Sequence, residues 1–374
     1  MALFTISYYT PITPRFIFHA GLVIPGLTYL LWRPALLKEF LQIFSWLLIP
    51  LMAIQLLNYS VLLELKVWFY LLGLIAACVL VDRSSVGMRN VFLFFAVASV
   101  LTLLYLTGYW VWLKYSTHAW VRLGEGQVIM TGPIEAGLLV GSGMVAGWIF
   151  AVEPWLKRCS QKYVLIGFIG LTMLIMLAAL VFQCRSLLLG YGFYVFFYAL
   201  RNRLGWVVIL ALVTVLLAVW LTGADQILAQ RGLSYRPQIW ADAWQRVSQD
   251  CGLLIGCGKD GYRFLGMYSH AHNMLVQLLY EDGLIGCIML MVFMGYIGLK
   301  CWRSDWLLIA LVGIGGQMTN TGWMLSSPKA YWIYFWLPLI MVLIENQKMA
   351  LDRYFEKRTV NRSQWFEIGF GKKK

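Results

Sequence analysis

The sequence predicts an all-α polytopic membrane protein, and three observations carry that prediction. Of 374 residues, 61% are hydrophobic and only 13% are charged, where a soluble globular chain carries about 25% charged residues. The apolar residues fall in blocks of roughly 15–25, long enough as helices to cross a hydrocarbon layer about 30 Å thick. The 30 basic residues outnumber the 17 acidic ones, and they gather in alternate gaps between the blocks, as in cytoplasmic loops. Together these exclude a disordered chain and a large soluble core. The net charge of +13 therefore reads as membrane topology, and no nucleic-acid partner is expected. The 18 Trp and 20 Tyr suit interfacial belts.

The blocks place about eleven to twelve membrane helices, with spans near 15–31, 40–57, 66–81, 90–112, 132–152, 163–182, 186–200, 204–222, 274–298, 306–325 and 330–345. A short apolar piece at the N-terminus, broken by Pro11 and Pro14, reads as interfacial. The first residues lack the charged region, apolar core and small-residue site of a cleavable signal. With these spans, Arg33 and Lys38, Arg83 and Arg89, Lys157, Arg158 and Lys162, Arg201 and Arg203, and Lys300 and Arg303 share one side. The tail adds Lys348, Arg353, Lys357, Arg358, Arg362 and Lys372 to Lys374. The positive-inside rule makes that side cytoplasmic and puts the N-terminus outside. Residues 1–374 then form a single integral membrane domain. Residues 223–273 are its one large outer loop, and 346–374 are a basic cytoplasmic tail beside anionic lipid.

That outer loop carries five basic and four acidic residues and holds most of the chemistry. Pro237 suits the first turn of a helix. Ile239, Trp240, Ala243, Trp244 and Val247 follow at helical spacing, with Asp242, Gln245, Arg246 and Gln249 on the other face. Such a helix is too short and polar to span; it lies on the membrane surface or lids a cavity. Arg236 at its N-terminal edge favours an anion such as phosphate, or else simply faces water. Gly256-Cys257-Gly258-Lys259-Asp260-Gly261 reads as a tight turn without the Walker pattern. The loop ends on His270-Ala271-His272-Asn273. A histidine with an ordinary pKa near 6.5 can take a proton from a hydroxyl at neutral pH. The competing readings are a structural pair and a metal site, but the nearby carboxylates match no metal signature. No metal and no cofactor are expected.

Rare charges at the membrane boundary carry further information. Arg185 stands between two apolar runs at the outer end of a span, where it snorkels or binds something. Glu135 follows Gly132-Pro133 at the start of another span and either neutralises an arginine or sits at the interface. Glu281 and Asp282 lie about two turns into the run after His272, followed by Gly283 and Gly286, and point to an interior or watery face. Arg122 and Lys329 are outer cations of ordinary loop type. Of seven cysteines, Cys251 and Cys257 share the outer loop, where their spacing permits a small disulfide. Cys78, Cys159, Cys184, Cys287 and Cys301 read as packing residues.

His272-Asn273, nine further residues, then Gly283-Leu284-Ile285-Gly286 is similar to the signature of the O-antigen ligase / O-antigen polymerase superfamily. Upstream, Arg236-x-x-Ile239-Trp240 and Gly256-x-Gly258 resemble that family's loop pattern in the same order. Arg185-Ser186 resembles its Ser-Arg-Gly element, with Cys184 and Ser186 as departures. Gly132-Pro133-Ile134 resembles its Asn-Pro helix start, with Gly in place of Asn.

The resemblance implies a GT-C-type helical bundle in the bacterial inner membrane with one large periplasmic loop containing short helices. It implies an inverting, metal-independent glycosyltransferase of lipopolysaccharide biosynthesis that uses undecaprenyl pyrophosphate-linked glycan. The acceptor would be a lipid A-core sugar hydroxyl, and the active site would face the periplasm. Arg185 and Arg236 would bind the diphosphate. His272 would be catalytic, with His270, Asn273, Trp240 and Glu135 in support. An O-antigen polymerase and a protein O-oligosaccharyltransferase share the pattern. A polyprenyl-linked glycan transporter is a reading of a different class, but it predicts internal repeats, and none is evident.

Overall fold

A computed structural model describes residues 14–33, 37–38, 40–43, 45, 61–81, 86–118, 121–123, 132–222, 235–258, 262–319 and 328–347. Among these residues there is no strand beyond an isolated bridge between Phe264 and Tyr268. The chain is an all-α polytopic membrane protein. Gly87–Thr117, Pro133–Cys159, Gln161–Val181 and Met274–Lys300 are long and apolar enough to cross a membrane, and shorter apolar helices accompany them. Most of the expected span 40–57, the N-terminal piece 1–13 and the tail from 348 onward lie outside the described residues.

The helices are α1 (14–31), α2 (Val61–Val81), α3 (Val86–Thr117), α4 (Pro133–Cys159), α5 (Gln161–Val181), α6 (Arg185–Asn202), α7 (Gly205–Thr222), α8 (Arg236–Arg246), α9 (Met274–Lys300), α10 (Asp305–Gln317) and α11 (331–347). Several boundaries differ from expectation: α2 begins five residues early, and α3 extends four residues before and five beyond its expected span. α4 runs seven residues past the predicted end at 152, because Pro154 is carried inside the helix. α10 stops at Gln317 rather than 325.

Proline normally breaks a helix by removing a donor and striking the carbonyl four residues back. Here three prolines are accommodated in one way. A widened π-type turn occupies His19–Val23, Trp148–Val152 and Trp332–Trp336, and in each case a proline follows two residues later: Pro25, Pro154 and Pro338. The residue between turn and proline donates to the carbonyl five back, as Glu153 does to Trp148. The backbone is thus re-satisfied locally, which a membrane-embedded helix requires.

α10 is the central helix, buried from Trp306 to Gln317. Lipid is as apolar as leucine, so close packing rather than water exclusion holds helices together here. α6 and α10 touch backbone to backbone: a Cβ on Gly190 would lie 2.3 Å from the Val312 carbonyl oxygen, and one on Gly315 would lie 2.8 Å from Gly190 Cα.

The loop before α9 has a small core of its own. Ile239, Ala243, Val247, Tyr262, Ala271 and Tyr280 are buried together, with Trp240, Phe264 and Tyr268 against them. Burying each large apolar side chain from water contributes about 1.5–3 kcal/mol. The apolar face of α8 is therefore spent on this core and on α9. Trp244, expected on that face, remains 53% exposed.

Candidate functional site at one end of the bundle

Five helix ends meet at one end of the bundle among the described residues. α5 closes with Gln183 in the left-handed region at φ 45°, and the Cys184 N–H donates to the Ala179 carbonyl at 2.8 Å. This tight helix stop makes Arg185 the first residue of α6. Cys184 Sγ contacts the Ile134 carbonyl at 3.6 Å, which brings Glu135 in the first turn of α4 alongside. Arg122 Nε donates to the Phe182 carbonyl at 3.3 Å. From α10, Thr319 Oγ1 donates to Ser186 Oγ at 2.6 Å. The neighbouring Met318 carbonyl accepts from Asn273 Nδ2 at 2.8 Å. Asn273 also caps α9, its Oδ1 accepting from the N–H groups of Leu275 and Val276 at 2.9 and 3.1 Å. So Asn273, expected as a supporting residue, ties the histidine loop to both α9 and α10.

The two histidines are in ring contact. Their centroids lie 3.9 Å apart, edge to face, and Tyr268 lies 5.9 Å from His272 on another side. His272 sits at φ 53°, a left-handed conformation that costs a non-glycine residue free energy and is kept only where the surroundings impose it. Those surroundings are specific. Trp240 Nε1 donates to the Ala271 carbonyl at 2.8 Å. The Ala271 N–H donates to Gln277 Oε1 at 2.6 Å, and Gln277 Nε2 donates to Glu281 Oε1. Each of the two peptides between the histidines is thus gripped, 270–271 by Gln277 and 271–272 by Trp240.

Electrostatics separate these imidazoles from ordinary ones. Burial, then the positive Lys329, push the His270 pKa down to about 4. Burial, then His270, then Arg236, push that of His272 down to about 4. Both rings are neutral at pH 7. His270 Nδ1 is buried and has no hydrogen-bond partner among the described residues. Arg236 opens α8 directly after Tyr235 in the left-handed region, with Pro237 in the first turn as expected. Among the described residues no three His, Cys, Asp or Glu side chains gather as a metal site.

The signature glycines have a physical cause. α9 is broken at Gly283, whose φ 65° and ψ −162° are open in practice only to glycine. The break frees backbone groups, and the loop takes them up. The Cys257 and Gly258 N–H groups donate to the Tyr280 and Glu281 carbonyls at 2.6 and 3.0 Å. The Leu284 and Ile285 N–H groups donate to the Leu253 and Leu254 carbonyls at 2.9 and 3.2 Å. A Cβ on Gly283 would lie 2.3 Å from the Leu254 oxygen, and one on Gly256 would lie 2.6 Å from the Tyr280 oxygen. Cys251 and Cys257 form a disulfide that closes this plug. The turn expected at Gly256 is therefore the partner of the broken helix; Lys259 to Gly261 lie outside the described residues.

His272, His270, Asn273, Trp240 and Arg236 are brought together in and around the loop. Arg185 and Glu135 stand at helix starts linked to it through Ser186, Thr319 and Met318. Gln277 and the role of Lys329 were missed at the sequence level. The spacing of Asn273, Gln277 and Glu281, four residues apart on one helix face, was the available signal.

No family profile and no solved structure matches the chain. It is 27% identical over 143 residues to a protein named O-antigen ligase from Pseudomonas aeruginosa, covering 34% of this chain and 35% of that protein. The chain thus spans about a third of the length of the curated relative it matches.

Proposed function

We propose that this chain is an O-antigen ligase-like membrane glycosyltransferase that moves a glycan from undecaprenyl pyrophosphate to a lipid A-core hydroxyl. On this reading the end of the bundle bearing His272 faces the periplasm of a bacterial inner membrane. The observation that carries the proposal is the histidine loop itself, held through Ala271 by Trp240 and Gln277 with Arg236 close enough to act on His272 electrostatically. The similarity to a named O-antigen ligase favours ligase over polymerase.

The chemistry follows from those groups. His272 takes the proton of the acceptor hydroxyl as its oxygen attacks the anomeric carbon. The bond from that carbon to the diphosphate breaks on the opposite face, inverting the centre, and the electron pair leaves with undecaprenyl pyrophosphate. Arg236 and Arg185 receive the negative charge. The Arg236 charge also depresses the His272 pKa in the free protein. A bound diphosphate neutralises that charge, so the donor itself makes His272 a stronger base.

Reconstitution in vesicles with undecaprenyl pyrophosphate-linked glycan and lipid A-core tests the proposal. Product on the core is expected. Longer lipid-linked chains would make the protein a polymerase, and glycan crossing the bilayer without transfer would make it a transporter.

A further inference from the structure

We infer that Gln277 and Glu281 are positioning residues for His272, acting through the Ala271 peptide. The inference rests on the proposed role of His272 but is argued from connectivity alone. One carbonyl and one N–H of residue 271 are held from opposite sides, by Trp240 Nε1 at 2.8 Å and by Gln277 Oε1 at 2.6 Å. Residue 271 lies between the two histidines, so Gln277 fixes the peptide that joins it to His270 and Trp240 fixes the peptide that joins it to His272. Gln277 is buried, and its amide orientation is in turn set by buried Glu281. A glutamine whose N–H has a carboxylate acceptor must present its oxygen to Ala271; the alternative flip would place two donors face to face.

Glu281 is immobilised from behind. Its carbonyl accepts from Gly258 at 3.0 Å, and that of Tyr280 accepts from Cys257, in the disulfide-closed plug that fills the break at Gly283. A continuous line of bonds thus runs from the loop disulfide through Glu281 and Gln277 to the histidine pair. The left-handed conformation of His272 at φ 53° is the kind of strained arrangement that such a clamp sustains. A carboxylate pair in an apolar run thereby acquires a division of labour: Glu281 points back along its own helix to the histidine loop.

Gln277→Leu removes both bonds with little change in volume. Expected is a fall in kcat of about tenfold or more with the donor KM nearly unchanged, because the base is misplaced while the arginines remain. Glu281→Leu is expected to act in the same direction, and Glu281→Gln, which keeps an acceptor, to recover most of the loss. A readout independent of transfer is the rate at which diethyl pyrocarbonate modifies His270 and His272, mapped by mass spectrometry. Gln277→Leu is expected to raise that rate several-fold in protein that stays folded, at a somewhat lowered melting temperature because a buried N–H and carboxylate lose their partner. Should that variant misfold, Trp240→Phe keeps the ring, removes only the donor to Ala271, and is expected to raise the rate in the same direction. Unchanged histidine reactivity in folded variants would overturn the inference. Altered reactivity, together with full transfer by His272→Ala, would instead sink the proposed function and leave the clamp standing.

Discussion

The two ends of the bundle differ in what surrounds their charges, although the histidine end also holds one matched pair, Arg246 with Asp242 at 3.1 Å. At the end away from the histidines, opposite charges are matched. Arg201 meets Asp305 at 3.0 Å and donates to the Arg303 and Ser304 carbonyls. Lys157 meets Glu153 at 2.6 Å, and Tyr198 donates to the same carboxylate. Ser304 bonds Glu345. At the histidine end, His270, His272, Arg236 and Lys329 stand within electrostatic reach of one another, all of cationic or potentially cationic type. The first arrangement holds helices together. At the second, burial first and the neighbouring cations next keep the imidazoles neutral, an arrangement that on the proposed reading suits an incoming anion. Charge that is scarce over the whole chain serves structure at one end and, on the proposed reading, binding at the other.

The largest test of this contrast is His272→Ala. Transfer is expected to fall by about 10²–10⁴-fold, with the melting temperature little changed. Full activity in a vesicle assay would reject its role as base. Next in size, Arg236→Gln and Arg185→Gln are each expected to weaken donor binding or transfer by roughly 10–100-fold, from the loss of a charge-assisted hydrogen bond. Arg236→Gln should also raise the His272 pKa, which NMR titration would report.

What the sequence made legible follows from periodicity and from charge. Apolar blocks located the helices, the sidedness of Arg201 and Arg303 located the matched end, and the spacing after His272 located the loop. Three kinds of feature were not legible. The helix from Pro133 runs through Pro154, past the expected end at 152, because a π-type turn re-satisfies the backbone, and hydropathy carries no trace of that. Gly256 and Gly283 are required by each other across a loop and a helix break, a pairing that exists only in three dimensions. Trp244 shares the spacing of buried residues yet is exposed, because the loop core is completed by Tyr262 and Tyr280 instead.

A smaller effect is expected from pH. In the folded protein both histidines have pKa values lowered from 6.5 to about 4. Between those values the unfolded chain binds more protons than the folded one, so stability rises with pH across that window and falls as pH drops from 6.5 towards 4. Thermal unfolding followed from pH 7 to 4 should show that loss, and His270→Leu should reduce it. The smallest effect belongs to the matched end. Arg201→Ala, which breaks a part-exposed pair, is expected to cost about 1 kcal/mol or less and to leave kcat unchanged. A large loss of transfer there would break the division between the two ends.

On the proposed reading, burial keeps His272 neutral and the nearby Arg236 forms part of a diphosphate site. The most direct measurement is an NMR titration of His272 in nanodiscs, with and without undecaprenyl pyrophosphate. A pKa near 4 is expected in the free protein, with a rise when the lipid diphosphate binds. A His272 that titrates identically in both states, while the lipid is bound elsewhere or not at all, would contradict it.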